Sequence, residues 1–295
     1  MNDTVKIMNV LSLFDGMSCG QIALERVGIA IGNYFASEVD KYAIQITQKN
    51  YPKTQQLGTV TEVRGCDLPK IDLLIGGSPC QGFSFAGKQL NFDDPRSALF
   101  FEFVRLLKET KPEYFLLENV RMKKEYQDII SEHLGVKPIM INSALVSAQN
   151  RVRLYWTNIP NVTQPEDRKI MLKDILEIDV DESFYHSQKA IEYMERGNAK
   201  WMQAGERRAD RYTQSAEKEK SFTVTANIHK GVPYNYLKCS GKDKMSYRKL
   251  TSLECERLQT VPDNYTEDIS KTQRYKMIGN GWTVDVIAHI LKNIK

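Results

Sequence analysis

The chain has 295 residues, 41% hydrophobic and 26% charged, and its 41 Lys and Arg against 37 Asp and Glu leave a net charge of +4 at pH 7. This is ordinary globular composition, long enough for one large domain with a small appended lobe. The opening MNDTVKIMNVLSLF is too short and interrupted an apolar run for a signal peptide or membrane span, and the five scattered cysteines contain no CxxC or Cys/His cluster, which excludes a disulfide framework and a metal site. The expectation is a reduced cytoplasmic protein with no metal and no membrane attachment.

IMNVLSLF (7–14) is a short apolar run ending in Asp15-Gly16, which predicts a buried strand entering a tight turn. Ile22, Ala23, Leu24 and Val27 have helical spacing over 20–28, with Gly28 as the stop. IAIGNYFASEVD (29–40) predicts a second strand, 42–49 a helix, and IDLLIGGSP (71–79) a third strand running into glycines. SALFFEFVRLLKET (97–110) predicts a helix and EYFLLENV (113–120) a strand. Alternating strands and helices imply an α/β fold, a doubly wound, mostly parallel sheet whose sites lie at the carboxyl ends of its strands.

After Pro160 the texture changes. Residues 165–220 are polar and charge-rich; SFTVTANI (221–228) predicts a strand and HKGVPYN a turn or loop. From Arg248, RKLTSLECERLQTVP predicts a helix, and MIGNGWTVDVIAHILKNI a Gly-rich loop opening a last helix. No internal repeat or low-complexity tract is present. Between His186 and Lys249, fourteen Lys and Arg face seven Asp and Glu, so this stretch carries +7 and the rest of the chain −3. A basic lobe beside a mildly acidic body suits a polyanionic partner; a solvated Lys-rich surface is the plainer alternative.

Four motifs fall where strands end. Phe14-Asp15-Gly16-Met17-Ser18-Cys19-Gly20 puts a glycine turn between strand and helix, where a ligand can approach backbone N–H groups, but it is not GxGxxG. Glu38 ends the second strand about 20 residues later, where an acidic side chain commonly binds ribose hydroxyls. Gly76-Gly77-Ser78-Pro79-Cys80-Gln81 sets a cysteine on a broken backbone where plain packing would not favour it. Glu118-Asn119-Val120 ends the adjacent strand, so Cys80 and Glu118 face one edge as a candidate nucleophile and general acid.

In chain order, FDGMSCG, ASEVD, GGSPCQGFS, LLENV, QNRVR, RKLTSLECERLQTVP and GNGWTVDVI resemble the motifs of DNA (cytosine-5) methyltransferases. The similarity covers almost the whole chain except about residues 161–220. PCQGFSFAGKQLNFDDPRSALFFEF resembles bacterial modification enzymes, whereas FDGMS, ASEV and GNGWTV resemble the eukaryotic de novo enzymes. The chain therefore resembles a small prokaryotic or phage-type enzyme with a de novo-like cofactor site. The resemblance implies methyl transfer from S-adenosyl-L-methionine to C5 of a flipped cytosine in double-stranded DNA.

Residue by residue, the resemblance implies that Cys80 attacks C6, that Glu118 hydrogen-bonds N3 and the exocyclic amine, and that Arg153, with Arg151 beside it in Gln149-Asn150-Arg151-Val152-Arg153, holds the cytosine carbonyl. Phe14, Asp15, Gly16, Met17 and Cys19 would line the methyl-donor pocket, Glu38 would bind its ribose, and Val39 would pack on its adenine. Pro79, Asn280, Gly281 and Trp282 would complete that pocket, the aromatic faces of Phe14 and Trp282 favouring a sulfonium cation. Thr59, in Gly58-Thr59-Val60-Thr61, stands where the family usually has an acidic residue; its hydroxyl still accepts a hydrogen bond, but without charge, or Asp67 takes over. DNA contacts are expected at Gln81, Ser84, Lys88 and Arg96 around the nucleophile. In the lobe they are expected at Thr225, Asn227, His229, Lys230 and Lys242, within a base-reading segment from about Thr223 to Lys242 that includes Lys238, with Lys244 just beyond it.

The expected division is a catalytic and cofactor-binding part over 1–160, a target-recognition lobe over 161–247 and a C-terminal return over 248–295. A cognate restriction endonuclease is a further possible partner. Competing readings are a tRNA cytosine-C5 methyltransferase on the same fold, against which the basic insertion counts, and an inactive DNA-binding relative, against which Cys80, Glu118 and Arg153 count. A dinucleotide dehydrogenase lacks its GxGxxG.

Overall fold

The computed structural model describes residues 7–78, 95–203, 213–217, 220–240 and 245–294. Two compact units emerge. One comprises Met1–Asn142, Val152–Pro165 and Val284–Lys295; the other comprises Ser143–Arg151 and Glu166–Thr283. Compactness is a different criterion from the functional division expected at 160 and 247.

The first unit is built on a seven-stranded sheet: β1 (Ile7–Leu13), β2 (Ala30–Ser37), β3 (Gln55–Gln56), β4 (Leu73–Gly76), β5 (Tyr114–Val120), β6 (Ile139–Asn142) and β7 (Val152–Thr157), in the order β3-β2-β1-β4-β5-β7-β6. The strands from β3 to β5 pair in parallel, and β7 runs antiparallel to both β5 and β6. Val10, Leu11, Leu13, Leu73, Leu74 and Ile75 are all buried, the continuous burial of strands covered on both faces. Five helices belong to this unit: α1 (Cys19–Arg26), α2 (Lys41–Asn50), α3 (Pro95–Thr110), α4 (Lys124–Leu134) and, after an excursion into the other unit, the helix Val284–Leu291. Asp40 caps α2 by accepting from the Tyr42 N–H, and α4 stops at Gly135, whose φ of 71° is the left-handed conformation that suits a C-cap. Among the helices described, none is long and apolar enough to cross a membrane.

The chain starts in mid-sheet at β1, moves outward to β3, then crosses to β4 on the other side of β1. This reversal opens the sheet between the carboxyl ends of β1 and β4, the place where doubly wound folds bind ligands. The motifs 14–20 and 76–81 begin there.

The second unit contains α5 (Gln188–Gln203), β8 (Gln214–Ser215), β9 (Leu237–Ser240), β10 (Met245–Arg248), α6 (Ser252–Leu258) and α7 (Lys271–Asn280); α8 is then Val284–Leu291. Its small sheet has the order β10-β9-β8. Several sequence expectations are corrected here. Residues 221–228 are not a strand: Ser221 makes one isolated bridge with Gln149, and Ala226–Lys230 is a 3-10 turn. Burial does not alternate here, since Ser221, Val224 and Ile228 are the buried positions, and side-chain amides take the place of a ladder. The Val224 N–H donates to Gln149 Oε1 (3.1 Å) and the Phe222 N–H to Gln214 Oε1 (3.2 Å). Arg248 ends β10 rather than starting a helix, because Thr251 and Glu254 form a capping box that begins α6 at Ser252. The segment MIGN closes α7 rather than forming a loop, and α5 arises in a stretch whose polar texture gave no helix.

Candidate active site

In the first unit, the turn after β1 carries three left-handed residues in five, Phe14 (φ 57°), Gly16 (φ 59°) and Ser18 (φ 64°). For Phe14 and Ser18 this conformation costs on the order of 1–3 kcal/mol each and needs outside support. The Asp15 carboxylate supplies it, accepting from Ser18 Oγ (2.6 Å) and Tyr34 Oη (2.8 Å), while the Asp15 N–H donates to the Ser37 carbonyl at the end of β2 (3.2 Å). Burial pushes the Asp15 carboxyl up to about 6; the hydroxyls of Ser12, Ser18 and Tyr34 pull it down, and the nearby Glu38 raises it further. Burial, reinforced by Asp15, also holds the Tyr34 phenol well above its ordinary value.

Glu38 closes this turn from β2. Its Oε2 accepts from the Gly16 N–H (2.7 Å), and its Oε1 accepts from the N–H groups of Val39 (2.7 Å) and Asp40 (2.8 Å). A carboxylate has about four acceptor sites, so one remains for a ligand hydroxyl. Val39 beside it is 73% exposed, a bare apolar side chain at a strand end. Met17 and Cys19 are buried, and Phe14 packs partly into the sheet's core. Thr59 bonds to Thr61 through their hydroxyls (3.0 Å). Asp67 lies six residues further on in the 3-10 turn Gly65–Asp67, its carboxylate 3.8 Å from Arg64 Nε.

The last described residue before Cys80 is anchored. Asn119 Nδ2, at the end of β5, donates to Ser78 Oγ (3.1 Å) just before Pro79. Next to Asn119, Glu118 Oε1 lies 2.9 Å from Arg153 Nε, and their side chains are only 11% and 15% exposed. The antiparallel register places Glu118 opposite Tyr155 and Val120 opposite Arg153, so a diagonal pair spans β5 and β7. A carboxylate and a guanidinium side by side offer acceptors and donors to a polar planar ring. Pro79, Cys80, Gln81, Ser84 and Lys88 lie outside the described residues; Arg96 stands in the first turn of α3, but its side chain lies outside them too.

In the second unit, Arg151 is engaged with backbone. Its guanidinium donates to the carbonyls of Val224 (2.8 Å) and Gly281 (2.8 Å) and reaches that of Gly279 (3.4 Å). These bonds brace the backbone of its own unit. Buried Gln149 and Gln259 extend the bracing. Gln149 Nε2 donates to Gln259 Oε1 (2.8 Å), while Gln259 Nε2 donates to the carbonyls of Ile278 (2.8 Å) and Gly281 (3.0 Å). Asn280 is exposed at the end of α7 and Trp282 is half-buried after it.

Thr225 and Asn227 are exposed, but Thr223 Oγ1 donates inward to the Asn150 carbonyl (2.5 Å). His229 Nδ1 bonds to the Ala226 carbonyl (2.6 Å), and Lys230 lies over the Tyr234 ring (5.8 Å). Lys242 and Lys244 lie outside the described residues.

Sequence reasoning gave no role to Asn119, Gln149, Gln259 or Gly279, although all four sit inside quoted motifs. A Cβ on Gly279 would lie 2.2 Å from the carbonyl carbon of Thr225, so α7 rests directly on the backbone of the 223–230 segment. The signal available was an amide or glycine amid apolar neighbours. Arg105 was also missed: from α3 its Nη2 donates to the carbonyls of Val60 (3.1 Å) and Val63 (2.9 Å), fixing the turn that carries Thr59. Among the described residues no group of three His, Cys, Asp or Glu could hold a metal ion.

A family model for C-5 cytosine-specific DNA methylases matches residues 8–295. The Type II methyltransferase M.NlaX of Neisseria lactamica is 31% identical, over 98% of this chain and 96% of that protein. The Type II methyltransferase M1.ScrFI of Lactococcus lactis subsp. cremoris is 31% identical, over 97% of this chain and 77% of its own length. In fold, the methyltransferase EhMeth of Entamoeba histolytica superposes with a TM-score of 0.79 at 19% identity, covering 98% of both chains. A DNMT2 variant of Spodoptera frugiperda gives a TM-score of 0.74 at 18% identity, covering 97% of this chain and 99% of that one.

Proposed function

The chain belongs to the C-5 cytosine-specific DNA methylase family, and from that premise we propose that Cys80, Glu118 and Arg153 carry its chemistry. Its reaction is methylation of cytosine C5 in DNA, with S-adenosyl-L-methionine as the methyl donor. C5 is a poor nucleophile while its electrons belong to the aromatic ring. Addition of the Cys80 thiolate at C6 breaks the aromaticity and makes C5 enamine-like, and a thiolate suits this even as a minor fraction at neutral pH. Negative charge gathers toward N3 and the carbonyl as the C6–S bond forms. Glu118 hydrogen-bonds N3 and the exocyclic amine, and Arg153 binds the carbonyl oxygen. C5 then takes the methyl group and loses its proton, and the ring regains aromaticity by expelling Cys80. C6 is unreachable in a stacked duplex, so the base swings out first.

The observation that carries this reading is the Glu118–Arg153 pair at 2.9 Å beside Asn119, whose amide holds Ser78, two residues before Cys80 in sequence. Single-turnover methylation beside a duplex-binding titration tests it. Glu118→Gln should slow the chemical step by about 10²–10³-fold, the scale of losing one transition-state hydrogen-bonding group, with little change in affinity. An unchanged chemical step overturns the assignment.

S-adenosyl-L-methionine supplies an electrophilic methyl group when bound. The residues present fit its adenosine end: Glu38 has acceptor capacity left for a ribose hydroxyl, and exposed Val39 offers an apolar face to adenine. The Phe14–Cys19 turn, Thr59, Pro79, Asn280, Gly281 and Trp282 complete the proposed donor set. We assign residues 1–160 to catalysis and cofactor binding, 161–247 to target recognition through Thr225, Asn227, His229, Lys230 and Lys242, and 248–295 to the return. Gln81, Ser84, Lys88 and Arg96 are assigned to DNA around the nucleophile. The Type II names of the relatives support a cognate endonuclease as partner, and their prokaryotic sources support a cytoplasmic location.

A further inference from the structure

Helix α5 was invisible in the sequence, and no role for it follows from the chemistry above. It runs from Gln188 to Gln203 within the basic stretch. Met194 is buried and Ala190 and Ile191 are half-buried, which defines its inward face. At about 100° per residue, Lys189, Tyr193, Arg196 and Lys200 fall within one sector of about 60° on the opposite side. All four are exposed, Tyr193 at 57%. The spacing is i, i+4, i+7, i+11, so the stripe is continuous along three turns.

These cations are not absorbed by the helix itself. Glu192 lies three residues from Lys189 and four from Arg196, within ordinary helical reach of both. Even so, Lys189, Arg196 and Lys200 make no ion pair with a described residue. Glu192 instead accepts from the Gln188 amide (3.4 Å), and Arg196 Nε donates to the Glu192 backbone carbonyl (3.2 Å). From Lys189 to Lys200 the helix rises about 16 Å, which is the axial length of about five base pairs at roughly 3.4 Å each.

We propose that the Lys189–Tyr193–Arg196–Lys200 stripe is a phosphate-binding face that holds the sugar–phosphate backbone of duplex DNA. The inference rests on DNA being the substrate, and it gives a role to four residues of the 161–247 lobe that were not among the base-reading residues named above. The chemistry fits phosphates rather than bases. The stripe offers three flexible cations and a phenol donor spread along about 16 Å of helix, a spacing that suits successive phosphate oxygens, and binding without sequence preference is what separates this role from the guanine reading that Arg and Lys can also perform. Its role is to fix the position of the duplex and to supply affinity that depends on salt, without sequence preference.

The test is equilibrium binding of the full chain to one duplex across a salt series, beside single-turnover methylation at saturating DNA. The triple variant Lys189→Gln/Arg196→Gln/Lys200→Gln should shallow the slope of log affinity against log salt by about 2.7, or about 0.9 for each phosphate released. Between about 50 and about 200 mM salt the wild type should then lose about 40-fold more affinity than the variant. The saturated methylation rate and the ratio of cognate to mismatched affinity should stay unchanged, and Tyr193→Phe should weaken binding without altering the slope. An unchanged slope in a folded variant overturns the proposal, as does a slope change accompanied by altered sequence preference. Loss of the saturated rate with an unchanged slope overturns it too. Failure of the underlying reading is distinguishable, because then the wild type would methylate no duplex at all.

Discussion

Gly279 offers a calculable perturbation of the segment proposed to read bases. A methyl group there would sit 2.2 Å from the carbonyl carbon of Thr225, 2.3 Å from the Ala226 nitrogen and 2.5 Å from the Thr225 oxygen. Every atom it meets is backbone, so no rotamer change relieves the clash. Reaching ordinary contact at 3.4 Å requires a separation of about 1 Å between α7 and the 3-10 turn Ala226–Lys230. Arg151 resists that separation, since it binds the carbonyls of both Val224 and Gly281. Overpacking of this kind costs about 1–3 kcal/mol, a fall in melting temperature of roughly 2–10 °C for a chain of this size. The same shift displaces exposed Thr225 and Asn227, so discrimination between cognate and mismatched duplexes should narrow about tenfold, the equivalent of about 1.4 kcal/mol. Gly197→Ala is the control: it lies within α5, nothing stands within 4 Å of an added Cβ, and the change should stabilise by about 0.5–1 kcal/mol. Calorimetry and methylation of a randomised duplex library read both effects. Gly279→Ala with wild-type melting and an unchanged site profile would refute the packing argument.

Three further outcomes follow from particular residues. Asp15 is raised from 3.8 unfolded to about 6 folded, so the native state binds the proton more tightly and ionisation costs stability as pH rises between those values. The stability of wild type relative to Asp15→Asn should therefore fall by up to about 3 kcal/mol as pH rises from about 4 to above 6, whatever offset the lost acceptor for Ser18 or Tyr34 adds at all pH values; a wild-type advantage that grows with rising pH contradicts the assignment. Alanine at Thr225, Asn227 and His229 in turn should change the ratio of cognate to mismatched sites, and identical library profiles in three active variants would end the base-reading proposal. Exhaustive chelation should leave turnover unchanged, since addition at C6 already activates C5; activity lost and then restored by one added metal would show otherwise.

Strand periodicity and turn chemistry made the sheet legible. The apolar runs at 7–14, 71–79 and 113–120 became β1, β4 and β5, because buried parallel strands need continuous apolar sequence. The second unit was harder to read. The Val224 and Phe222 amides pair with glutamine side chains, so a strand-like pattern folded without a strand, and no local propensity records such a partner. Helix α5 was missed because its inward face is thin, with Met194 its one fully buried side chain among those described. At the candidate site, Glu118 was legible from its strand-end position, and Arg153 from its place in the QNRVR motif. The bonds of Arg151 were not legible, because a motif names residue types but does not tell which of two nearby arginines turns toward backbone carbonyls. The Asn119–Ser78 tether spans 41 residues and becomes visible once β4 and β5 are paired.

The central claim is that Cys80 bonds to C6 before C5 is methylated. A duplex carrying 5-fluorocytosine in place of the target base tests it, because fluorine at C5 leaves no proton to remove and the adduct cannot collapse. With S-adenosyl-L-methionine present, the wild-type chain should form a covalent protein–DNA complex that survives denaturation, and peptide mapping should locate the bond at Cys80. Cys80→Ala should form none. Absence of a complex with the wild type, or a bond mapped to another residue, would contradict the account.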